Sequence, residues 1–69
     1  MKYVLFYSYM TNKYELVTID NEYVVCDKYE RITVPDHFYP GKFVSEFSEL
    51  INAKNEQELL NQVVYVYNS

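Results

Sequence analysis

The stretch KFVSEFSELI (42–51) sets Phe43, Val44, Phe47, Leu50 and Ile51 at i, i+1, i+4, i+7 and i+8, the spacing of one apolar stripe on a helix. Ser45, Glu46, Ser48 and Glu49 would cover the outer side. The pattern lapses at Asn52-Ala53-Lys54, and Asn55 with Glu58 three residues on has the form of an N-cap and its capping-box partner. The sequence therefore predicts one or two helices over about 42–62, the second running from Glu56 to Gln62 and burying Leu59 and Leu60. Beyond them VVYVY (63–67) is β-branched and aromatic throughout and predicts a last strand.

Upstream of Pro40-Gly41 the chain reads as strands. Residues 2–10 and 13–20 are β-prone runs separated by Thr11-Asn12, a hairpin spacing. YVVCDKY (23–29) predicts a third strand after the turn Asp20-Asn21-Glu22. ERITVP (30–35) either extends that strand past a bulge or forms a short strand of its own, and Pro35 ends it because proline cannot donate to a ladder. DHFYPG (36–41) has no period and closes on a turn signal. The expected fold is α+β: a small, mainly antiparallel sheet of 4–5 strands with one or two helices on one face, in the order β-β-β-(β)-α-α-β, within a single domain.

Alternation then sorts the faces. Successive strand side chains point to opposite sides, so Val4, Phe6 and Met10 oppose Tyr3, Leu5, Tyr7 and Tyr9. The same rule over 63–67 sets Val64 and Val66 against Val63, Tyr65 and Tyr67. The aliphatic face is expected to receive the helical stripe. That leaves Tyr3, Tyr7, Tyr9, Tyr65 and Tyr67 as a tyrosine-rich layer opposite the helices, joined by some of Tyr14, Tyr23 and Tyr29. Such a layer either stiffens the sheet by cross-strand stacking or meets a second protein chain, identical or foreign.

Composition narrows the function classes. With 69 residues the chain sits near the lower size limit for independent folding, and a 49% hydrophobic and 19% aromatic content excludes disorder. Nine of the aromatics are Tyr, whose apolar ring and polar tip suit surfaces buried only on binding. A single cysteine, Cys26, excludes an intrachain disulfide and fits a reducing cytoplasm. Its alternation with Val24 suggests a buried thiol. The apolar run after Lys2 is too short for a membrane span and is followed by Thr11-Asn12-Lys13, not a cleavage site. A net charge of −4 argues against direct nucleic-acid binding, and the basic residues of the strands are offset by Glu15, Asp20, Glu22, Asp27 and Glu30.

No motif for chemistry emerges. His37 is the only histidine, and its neighbour Asp36 cannot orient it as a base for a nucleophile. Asp20, Glu22 and Asp27 lack the glycine of a calcium loop, and the lone Gly41 excludes glycine-rich phosphate loops. The expectation is a non-enzyme with no cofactor and no metal. Glu46, Glu49, Glu56 and Glu58 outnumber Lys42 and Lys54 on the expected helices, an acidic face of the kind that can imitate nucleic-acid phosphates in an enzyme's basic groove.

In size, acidity, tyrosine content and want of a catalytic motif, the chain is similar to the small single-domain proteins that bacteriophages encode to bind and inhibit host enzymes. That likeness implies an inhibitor acting in a host cytoplasm. The leading expectation is thus a protein-binding protein that occludes its partner through the tyrosine face or a sheet edge. The alternatives are a homodimeric structural domain and an acidic nucleic-acid mimic.

Overall fold

In a computed structural model the described residues form a three-stranded sheet, a two-stranded sheet and one helix, an α+β arrangement. Residues 1–20, 22–25, 31–35 and 37–68 are described, the side chains of 64–68 excepted. The strands are β1 Lys2–Ser8, β2 Lys13–Ile19, β3 Val24–Val25, β4 Ile32–Thr33 and β5 Gly41–Phe47, and the helix is α1 Leu50–Asn68. The expected hairpin forms, with Lys2 opposite Ile19 and Ser8 opposite Lys13. Its strands stop earlier than the apolar runs do. Ser8 Oγ accepts from the N–H groups of Met10 and Thr11, both at 3.3 Å, and Asn12 closes the turn at φ 57°, a conformation that asparagine tolerates.

The stretch 42–51 departs from the expected helix. Gly41–Phe47 is a strand antiparallel to β1, which makes β1 the central strand in the order β2-β1-β5. The i to i+4 spacing of Phe43 and Phe47 fits either period, since four residues are just over one helical turn and two full strand repeats. Tertiary pairing decides. Gly41 is buried so tightly that an added Cβ would meet the Tyr7 carbonyl oxygen and come within 2.5 Å of Phe6 Cδ2. A β-bulge follows: Phe6 opposes Phe43 while Leu5 opposes Ser45, leaving Val44 as the extra residue. The bulge reverses the alternation, so Phe43 joins the core beside Phe6 while Phe47 turns to the other face, opposite Tyr3.

The C-terminal strand is also corrected: residues 63–67 continue α1. Glu49 accepts the first helical bond, from the Ala53 N–H at 3.2 Å, and neither glycine nor proline interrupts the chain after it. Each β-branched residue costs only a few tenths of a kcal/mol in an established helix, so residues 63–67 propagate it. Asn55, the expected N-cap, lies in mid-helix, and Ala53 in the supposed gap is fully buried.

The sheet is covered on both faces, and the covers are the reverse of those expected. Val4, Phe6 and Ile19 pack with Ile32 from β4, flanked by Val17, Tyr23, Val34, Tyr39 and Phe43. Tyr23, Ile32, Val34 and Tyr39 therefore occupy the aliphatic face. They are held there by the Phe6–Tyr39 and Tyr23–Phe43 ring contacts. The helix takes the opposite face, against β1, β2 and β5. Leu5 points that way and is fully buried, as is Ala53 on α1. Val4, Leu5 and Phe6 are consecutive and all buried, the signature of a strand enclosed on both sides.

Candidate functional site

At one end of the helix-bearing face three side chains stand in a row. Tyr7 on β1 is paired with Tyr14 on β2 and with Lys42 on β5. The Tyr7 and Tyr14 rings meet edge-on, with centroids 5.1 Å apart at 68°, the arrangement favoured by ring quadrupoles. Tyr9, just past β1, adds a second edge contact to Tyr7 at 6.4 Å. Its backbone is pinned because its N–H donates to the Pro40 carbonyl at 2.9 Å.

Helix α1 forms the wall opposite. Two of its amide side chains fasten it to the β2 edge at one residue. The Tyr14 N–H donates to Asn61 Oδ1 at 2.8 Å, while Gln57 Nε2 and Asn61 Nδ2 donate to the Tyr14 carbonyl at 2.9 and 3.1 Å. An outward-facing strand N–H and C=O that water or another chain would otherwise take are thus satisfied internally. Leu60 is set beside the tyrosines by this clamp. The result is an open groove of about 460 Å³ lined by Tyr7, Tyr9, Tyr14, Lys42, Phe43, Val44 and Leu60, a volume within the range of ligand pockets. Among those lining residues Lys42 alone is charged.

Of the expected tyrosine layer, Tyr7 and Tyr9 come together here. Tyr3 stands at the far end of the same strand face, where its hydroxyl donates to Met1 Sδ at 3.6 Å. Tyr65 and Tyr67 lie on α1, not on a strand, and their side chains fall outside the described residues. The groove residues that the sequence reading assigned to helices and not to the site are Lys42, Phe43, Val44 and Leu60. Only the strand assignment of 41–47 could have placed Lys42 beside Tyr7.

The expected acidic group is divided among elements. Glu46 lies on β5, where it accepts the Tyr23 hydroxyl at 2.5 Å; Glu49 precedes α1; Glu56 and Glu58 are on α1, the former half-buried. Burial, then the hydrogen bond to Glu46 and the charge of Glu46, push the Tyr23 hydroxyl up to about 12. Lys2 Nζ sits 5.5 Å from the centre of the same ring. His37 is exposed and packs edge-on against Tyr39 at 4.9 Å. Cys26, Asp27, Tyr29 and Asp36 lie outside the described residues. Among the described residues no group of three or more His, Cys, Asp or Glu could hold a metal ion, and no helix is long and apolar enough to cross a membrane. The chain matches no protein-family model, no curated protein and no solved structure.

Proposed function

We propose that this is a non-enzymatic protein-binding protein that occludes its partner by receiving an apolar or aromatic side chain of that partner in the tyrosine groove. The observation that carries the reading is the groove itself. Tyr7, Tyr9 and Tyr14 line an opening together with Leu60 and Val44, and Tyr9 is half exposed at 53%. Tyrosine in such a setting supplies contact area at low entropic cost and a hydroxyl for the partner's backbone. Inhibition by occlusion is the mode of action that the likeness to phage-encoded inhibitors implies.

The test is capture from a bacterial lysate with the wild-type chain and with Tyr9→Ser as baits, washed at low and at high salt. A partner retained stoichiometrically by the wild type through the high-salt wash, and lost by Tyr9→Ser, is the expected result, because ring burial tolerates salt whereas charge pairing does not. Equal retention by both baits, or nothing retained by either, defeats the reading.

A further inference from the structure

The inner side of α1 is accounted for by Ala53, Gln57, Leu60 and Asn61; its outer side is not. Ile51, Leu59 and Val63 are 66%, 56% and 56% exposed and stand at i, i+8 and i+12, with exposed Asn55 filling the i+4 place. Together they form an exposed, mostly apolar stripe with four-residue spacing along the helix. The adjoining stripe carries Lys54 and Glu58, four residues apart and both exposed.

We propose that this outer face pairs with the same face of a second copy of the chain, the two α1 helices running antiparallel about a two-fold axis at Asn55. In that register Ile51 lies opposite Leu59 of the second copy, Leu59 opposite its Ile51, and the two Asn55 amides meet at the axis. The charges supply a match for this occupant: two opposite-charge pairs form on one flank, against one like-charge approach of the two half-buried Glu56 side chains on the other. Residues that face each other sum to 110 in sequence number, so Lys54 falls within one helical turn of Glu58 of the second copy, and Glu58 of its Lys54. One surface then supplies both halves of two opposite-charge pairs. A central Asn among apolar residues is a recognised device for fixing the register of paired helices. The pairing leaves the tyrosine groove open, since Leu60 and Asn61 turn inward, and it stands independently of what the groove receives.

The test is sedimentation equilibrium over a wide concentration range on the wild type, Lys54→Glu, Glu58→Lys and the double charge swap, with Leu59→Lys as a further variant. All three positions are exposed, so folding is preserved and is checked by circular dichroism. The wild type is expected to dimerise. Each single reversal should weaken dimerisation by about tenfold or more, the double swap should restore most of it, and Leu59→Lys should abolish it. A wild type that stays monomeric at every concentration overturns the proposal, even if the stripe variants lose binding to a foreign protein or to lipid vesicles. A dimer indifferent to all four variants uses another surface and overturns it too.

Discussion

Gly41 is required by contact, not by backbone conformation. A methyl group placed there would press on the Tyr7 carbonyl and on the Phe6 ring, and the backbone atom cannot swing aside as a side-chain tip could. Gly41→Ala should therefore destabilise the fold by about 1–3 kcal/mol, the usual cost of overpacking, seen as a lower urea midpoint at unchanged slope. Tyr23 makes a different kind of commitment. Its hydroxyl titrates near 12 when folded against 10.0 ordinarily, so the folded chain holds this proton more tightly than the unfolded chain. The sign follows: the contribution is complete below pH 10 and disappears as pH rises through about 12. Urea titrations across that window should show stability falling with pH in the wild type, and Tyr23→Phe should remove this component of the slope. An identical slope in both chains would mean that folding does not raise the Tyr23 hydroxyl.

Helix α1 is tied to β2 by two amide side chains acting on one residue, and this clamp is the feature most exposed to a single change. Asn61→Ala leaves the Tyr14 N–H without its 2.8 Å acceptor in a partly buried place, at a cost of about 1–3 kcal/mol. Hydrogen exchange at the Tyr14 amide should accelerate, and the chain should associate more readily through the uncovered strand edge. Such a link between Tyr14 and Asn61, 47 positions apart, has no signature in a linear pattern. The hairpin of β1 and β2 was legible because its alternation is local and one period fits it. The 41–47 segment was not, because Phe43 and Phe47 satisfy both periods and the bulge at Val44 breaks the alternation that would have betrayed a strand. At 63–67 the β-branched composition misled, since what decides there is the uninterrupted helix before it. Tyr7 and Tyr9 were recognisable as site candidates from spacing alone; Lys42 depended on the misread 41–47 segment, and Leu60, though read as helical, was placed beside the tyrosines by the Tyr14 clamp that no local pattern shows.

A chain of this length has roughly 3–10 kcal/mol of stability to lose, and here it depends on one strand enclosed from both sides. Phe6 anchors the layer formed by Tyr23, Ile32, Val34 and Tyr39 and Leu5 faces the layer formed by α1, so adjacent residues report on different halves of the molecule. Leu5→Ala should cost about 2–5 kcal/mol, enough to unfold a large fraction of molecules at physiological temperature. The two layers share β1, so loss of either should undo the whole. Far-ultraviolet circular dichroism, dominated by the helix, and tyrosine fluorescence, sensitive to the groove, should give coincident urea transitions in the wild type and in Leu5→Ala. Helix signal lost at lower urea than the fluorescence change would show instead that α1 detaches by itself. The distinction matters for binding, because Tyr7 and Val44 come from the sheet and Leu60 from the helix, and the groove exists only while both are joined. On the coincident outcome, partner binding by Leu5→Ala should fall in proportion to the unfolded fraction and return when osmolyte refolds the chain.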